Sequence, residues 1–311
     1  MLDPEAQRLV DERAASGALP IYERDLSEVR RSIAEAGAAL TPEHVTSVTD
    51  MLAPVTGSGI GIRIYRPKLD AAVPCLVYVH GGNWVAGNLD SHDVDCRSLA
   101  NRAGCTVVSV DYPLAPEHHF PEAPEAVHAV MRWLVSERAA IGVDPGRLGI
   151  CGLSSGGNIA AAVTLMARDR GGPSIACQVL VYPVTDCSLD TASYDAFGQG
   201  GFLLTRDAMR WSWEQYVERH ADPTHPYASP LRADSLQGLP RALVVVAGSD
   251  PLRDEGEAYA RRLAKAGVPT EFVCYDGMVH TFFSMPHRLE AARRAHDETA
   301  RFLRDAFGSV D

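Results

Sequence analysis

The strongest chemical signal in the chain is a serine. Ser154 is bracketed as Gly152-Leu153-Ser154-Ser155-Gly156, between the apolar run RLGIC and the Ala-rich run NIAAAVTLMA. A G-x-S-x-G spacing with a strand before it and a helix after it is what a sharp nucleophile-bearing turn requires. Glycines on both sides admit a turn that a Cβ would obstruct, and the turn lifts the hydroxyl clear of the sheet. At a helix N-terminus, Ser154 would also sit where the dipole favours developing negative charge. A plain Gly-Ser turn is the competing reading, and the strand-turn-helix context argues against it.

A serine hydroxyl needs a base to attack a carbonyl, and the base needs an acid to orient it. Downstream of Ser154, Asp250 follows the apolar run ALVVVAGS, and His280 follows TEFVCY and the turn-prone Asp276-Gly277. The order Ser, Asp, His, each after an apolar strand run, is the order this chemistry takes on an open parallel sheet, whose ligands meet the carboxyl ends of the strands. Asp254, in the same AGSDPLRDEG segment, is a rival for the acid, and an Asp before Pro is ordinarily a turn former or helix cap. The tetrahedral intermediate also needs donors for its oxyanion, worth about 3–4 kcal/mol for one donor in a dry site. The run CLVYVHGGNWVAG ends a buried strand in glycines, so the backbone amides of Gly82 and Asn83, with that of Ser155, are expected to form that hole.

These groups must be positioned by a scaffold, and the hydrophobic pattern specifies one. CLVYV, TVVSV, RLGIC, ACQVLVY, ALVVVA and TEFVCY are short β-branched runs alternating with helical segments, as in a parallel sheet covered on both faces. Between TVVSV and RLGIC, Val127, Val130, Met131, Leu134 and Val135 mark a helix with one buried stripe. Two earlier runs, HVTSVTDMLAP and GIGIRIYRP, flank a turn-forming stretch from Pro54 to Gly59 and read as a hairpin or antiparallel edge strands, giving eight strands in all. The expected fold is α/β, a mostly parallel eight-stranded sheet with helices on both faces and a helical cap.

The first forty residues read as two helices, with Leu9, Val10 and Arg13 in one and Leu26, Val29, Arg30 and Ile33 in the other. They carry too few large apolar groups for a core of their own and are expected to pack as a cap. A long aromatic insertion separates ACQVLVY from ALVVVA and reads as a lid. The expected organisation is a cap segment over 1–44, the first part of the core over 45–184, a lid over 185–233 and the rest of the core over 234–311. Trp84, Phe202 and Trp213 are the expected substrate-contacting side chains.

The 311 residues carry 46% apolar and 22% charged side chains, enough to bury a large core, with a formal net charge of −11. That balance argues against broad binding to nucleic acid or anionic membranes and points to a neutral small molecule as substrate. The N-terminal stretch is acidic and amphipathic, and no apolar run is long enough to cross a bilayer, so a soluble, cytoplasmic protein is expected. Seven scattered cysteines without CxxC pairs read as reduced thiols, and no metal site is expected.

Together HGGNW, DYPLAPEHHFP, GLSSGGN, DPLRDEG and the late VHTF resemble the hormone-sensitive-lipase family of microbial esterases, also called family IV, from about Ser47 to the C-terminus. The resemblance implies an α/β-hydrolase fold with a helical cap, no cofactor, activity on short-acyl carboxylic esters, and the same assignments of nucleophile, acid, base and oxyanion donors. It also implies a homodimer through the edge strand near TEFVCY and the C-terminal helix. The chain departs from the family at Asn83 (usually glycine), at Leu153 and Ser155 beside the nucleophile (usually Asp and Ala), and at Pro113, which replaces an arginine that supports Glu117. A specialised deacetylase or lactonase is the alternative function, and a non-catalytic ligand receptor on the same fold is a further one.

Overall fold

A computed structural model describes residues 1–55, 57–67, 73–137, 141–219 and 221–308. Residue 56, within the turn expected over 54–59, lies outside the described residues.

Among the described residues, eight strands form one sheet: β1 (Ser47–Ala53), β2 (Ile60–Arg66), β3 (Val73–Val79), β4 (Thr106–Asp111), β5 (Val143–Leu153), β6 (Cys177–Val181), β7 (Arg241–Ser249) and β8 (Thr270–Val279). Their spatial order is β1-β2-β4-β3-β5-β6-β7-β8. Only β2 pairs antiparallel to both neighbours, Ser47 opposing Arg66 on one side and Ile62 opposing Val110 on the other; every later pairing is parallel.

The central strands are apolar without alternation because both of their faces are covered. In β3, Cys75, Val77 and Val79 enter one core cluster while Leu76 and Tyr78 enter the other. In β7, Val244 and Val246 point one way, and Leu243, Val245 and Ala247 the other. The first cluster is closed by α4 (Glu122–Ser136), α5 (Ser155–Asp169) and α8 (Arg253–Lys265). The second is closed by α3 (Asp93–Ala103) and α9 (Glu290–Phe307). At the β8 edge this cover ends, and Phe272 is 39% exposed.

Two helices precede the sheet, α1 (Pro4–Ala15) and α2 (Leu26–Ala38), started by Asp3 and Asp25, whose carboxylates accept from Glu5 N and Glu28 N. The Asp3 N–H donates to Gly277 O, and Ala6 and Leu9 enter the same cluster as Phe283 and Phe302, so α1 shares the main core. Within the insertion lie α6 (Ala192–Phe197) and α7 (Arg206–Tyr216). Its start is tied to α8 by Glu255, whose buried carboxyl accepts from Thr185 N at 2.6 Å. Among the described residues, no helix is long and apolar enough to cross a membrane.

Candidate active site

Ser154 stands between β5 and α5 with φ 55° and ψ −119°, a strained conformation for a residue with a Cβ. The turn is held by its neighbours: Ser154 N donates to Val181 O, and Ser154 O accepts from Asn158 N and Val184 N. The flanking glycines are steric necessities. A Cβ on Gly152 would lie 2.1 Å from Gly156 O, and one on Gly156 would lie 2.2 Å from Val79 O. The serine side chain is 5% exposed, at the floor of a cavity of about 470 Å³.

His280 follows β8, and its ring reaches both partners expected of it. Nδ1 lies 2.7 Å from Asp250 Oδ2 and Nε2 lies 3.0 Å from Ser154 Oγ. A carboxylate only accepts, so the proton of the neutral ring belongs on Nδ1, and Nε2 is left to accept from the serine hydroxyl. Asp250 is fully buried after β7, and its second oxygen accepts from Leu252 N at 2.9 Å. The rival Asp254 is engaged elsewhere: its carboxylate accepts from Ser193 N at 2.8 Å and from Arg253 at 2.8 Å. Tyr182 packs its ring 4.7 Å from that of His280, fixing the imidazole plane from the side.

After β3 the chain passes through φ 127° at Gly82, 57° at Asn83 and 61° at Trp84. Asn83 adopts the left-handed region that asparagine tolerates, so the family's third glycine is dispensable for this turn. Gly82 and Asn83 line the cavity beside Ser154, and among the described residues their N–H groups and that of Ser155 meet no backbone acceptor. Beneath the turn, His80 stacks on Tyr112 at 4.3 Å and contacts Gly81 O through Nδ1. Burial pushes its pKa down to about 4, so it supports the loop as a neutral ring.

Of the expected substrate contacts, Phe202 lines the cavity and the two tryptophans do not. Trp84 is fully buried, stacked on Tyr216 at 4.3 Å and tilted against Trp213 at 4.9 Å, with its indole N–H donating to Asn158 Oδ1 at 3.3 Å. These aromatics bolt the Gly82–Trp84 turn to α7 and turn away from the substrate space, which corrects the expectation for Trp84 and Trp213. Sequence alone could not show this, since an aromatic that roofs a site and one that anchors its wall look alike.

Other residues gain a place only from the tertiary structure. Asn158 sits inside the GLSSGGN run, and its amide N–H₂ donates to Val184 O and Ala228 O, joining α5 to the insertion. Pro113 removes the arginine that would support Glu117, and Arg30 of α2 replaces it, pairing with the Glu117 carboxylate at 2.7 Å. Arg30 also donates to Val85 O and Ala115 O, so the N-terminal segment is fastened to the loop that follows Asn83. Tyr182, at the carboxyl end of β6, stood where ligands meet such sheets and was findable on that rule.

The geometry has close parallels. A family model described as alpha/beta hydrolase fold matches residues 76–284. The chain is similar to the carboxylic ester hydrolase LipN of Mycobacterium tuberculosis, 43% identical over 82% of this chain and 69% of that one. It is 37% identical to the ethyl acetate hydrolase of Pseudomonas putida over 90% of each chain. Among solved structures, an ester hydrolase from the metagenome of Lake Arreo superposes with a TM-score of 0.95 at 40% identity, covering 99% of this chain and 100% of that one. The hyperthermophilic esterase of the archaeon Pyrobaculum calidifontis gives 0.92 at 39% identity over 98% of both.

Proposed function

Because the chain belongs to the hormone-sensitive-lipase-like α/β-hydrolase family and is a carboxylic ester hydrolase, we propose that Ser154, Asp250 and His280 are its catalytic triad. The observation that carries this reading is the continuous relay from Ser154 Oγ through the His280 ring to Asp250, with contacts of 3.0 and 2.7 Å. As Ser154 attacks an ester carbonyl, His280 Nε2 takes its proton, and Asp250 stabilises the imidazolium that forms. The amides of Gly82, Asn83 and Ser155 receive the oxyanion. The alcohol leaves with the proton from His280, and water repeats the cycle on the acyl-enzyme to release the acid.

The cavity of about 470 Å³ beneath residues 1–44 and 185–233, acting as cap and lid, supports a preference for short acyl groups. Rates on p-nitrophenyl acetate, butyrate and dodecanoate test it, and fastest turnover of the dodecanoate overturns it. Ser154→Ala is expected to abolish turnover of p-nitrophenyl butyrate, and Asp250→Asn to lower kcat by about 10³–10⁴. Wild-type turnover by Ser154→Ala would remove the assignment. The half-exposed β8 edge beside α9 supports a homodimer there, which light scattering decides. Seven free thiols support a reducing, cytoplasmic setting.

A further inference from the structure

The net charge of −11 directed the substrate expectation toward neutral esters, yet the cavity above Ser154 has the opposite local sign. Among the described residues, its lining includes Arg13 and Arg24 and no aspartate or glutamate. His92, also on the wall, is held neutral by burial, with a pKa pushed down to about 3.

Both guanidiniums are free of carboxylates among the described ion pairs. Arg13 donates to Leu19 O at 3.3 Å and Arg24 to Ser32 Oγ at 3.4 Å, two long bonds to neutral oxygens. Of the acids next to them in sequence, Glu23 pairs with neither arginine among the described ion pairs, and the other two are engaged elsewhere. Glu12 is bound by Arg288 at 2.7 and 2.8 Å, and Asp25 caps α2. In the adjoining groove, Arg206 and Arg210 are neutralised by Asp195 and Asp207. The rest of the wall is uncharged: Ile21, Val29, Ile33 and Phe202 supply apolar surface, with Ser91, Thr205, Thr281 and Ser284 as neutral polar groups among them. A mostly apolar space with the Ser154 hydroxyl in its lining and two arginines without carboxylate partners on its walls fits a molecule with an ester at one position and an anion at another.

We propose that the preferred substrates of this esterase carry a free carboxylate besides the ester, as in half-esters of dicarboxylic acids. The ester carbonyl sits at Ser154 while the carboxylate pairs with Arg13 and Arg24, whose planar forks match its two oxygens. Hydrolysis breaks only the acyl carbon–oxygen bond, water supplying the hydroxyl to the acyl group and a proton to the alcohol. The inference rests on Ser154 being the nucleophile and adds the substrate class.

The test compares kcat/KM for anionic and neutral esters of matched size. The acyl-side pair is mono-p-nitrophenyl glutarate and p-nitrophenyl pentanoate; the alcohol-side pair is para-(acetoxymethyl)benzoate and para-(acetoxymethyl)benzamide. Wild-type enzyme is expected to favour the anionic member of at least one pair by about tenfold, mainly through KM, as two partly exposed charge contacts supply. High salt should shrink the preference. R13Q/R24Q should erase the ratio while R13K/R24K keeps much of it, and the pair that responds shows which side of the ester faces the arginines. A ratio measured on one preparation cancels any loss of folded enzyme. Ratios unchanged by R13Q/R24Q in both pairs overturn the proposal. Persistent hydrolysis by Ser154→Ala would instead strike the nucleophile assignment.

Discussion

Arg30 closes two guanidinium nitrogens on the Glu117 carboxylate, at 2.8 and 2.7 Å, across 87 residues of sequence. The same guanidinium donates to Val85 O and Ala115 O, so one side chain joins α2 to the segment just past the Gly82–Trp84 turn. With proline at position 113, it is Arg30 that supplies the guanidinium on Glu117.

Removing Arg30 should therefore loosen both the cap and the turn. Arg30→Ala leaves two partly buried carbonyls without their donor and is expected to cost about 1–2 kcal/mol, with a raised KM. The ion pair itself adds little, because Glu117 is more than half exposed. The Arg30 hydrogen bonds hold Glu117 at about 2, below its ordinary 4.5. Its folded pKa is depressed, so its contribution is complete above 4.5 and lost as pH falls through about 2. Urea melts of wild type and Glu117→Gln should differ near pH 7 and converge in acid; a constant gap would exclude the pairing.

Asp95 predicts the opposite pH trend. Its buried carboxyl accepts from Ser284 at 2.6 Å and Tyr78 at 3.1 Å, yet burial pushes its pKa up to about 7. His296, 3.6 Å away, is pushed down to about 4, so between those values both groups are neutral and no ion pair exists. The folded chain holds the Asp95 proton more tightly than the unfolded one, so the Asp95 contribution to stability falls as pH rises from about 4 to 7, while His296, whose folded pKa is depressed, contributes in the opposite sense between about 4 and 6.5. Asp95→Asn keeps an acceptor and removes that loss. It should raise stability near pH 8 by roughly 2–4 kcal/mol and change little near pH 4. An equal shift at both pH values in chemical melts would refute the buried titration.

The strained elbow has no room for a methyl group. A Cβ on Gly156 would also lie 2.4 Å from His80 O, a backbone atom that cannot swing away. Gly156→Ala should cost about 3 kcal/mol or more, read as loss of soluble folded protein or of esterase activity. Near-normal activity and circular dichroism would show the turn to be adaptable.

Phe202 and Trp213 should part company on substitution. Phe202 lines the cavity, so Phe202→Ala is expected to shift the acyl-length profile toward longer esters. Trp213 is packed against Trp84 and only 7% exposed, so Trp213→Ala should cost about 3–5 kcal/mol and leave the length profile in place. Thermal melts and a chain-length series separate them, and a profile altered only by Trp213→Ala would reverse the assignment.

What the residues determined by themselves was local: strands apolar on both faces, turns where only glycine fits, and a Ser, Asp, His order with each residue at the end of a strand. Those features are written in neighbouring side chains, because backbone sterics and period-two burial act over a few residues. The eight strands, including the early pair, were legible for that reason. Tertiary structure alone decided which of Asp250 and Asp254 meets His280, that Trp84 faces Tyr216 and not the cavity, that Arg30 reaches Glu117, and that Arg13 and Arg24 line the space over Ser154. Each depends on the direction of a side chain and on partners far away in sequence, which composition and spacing leave open until the sheet brings the distant segments together.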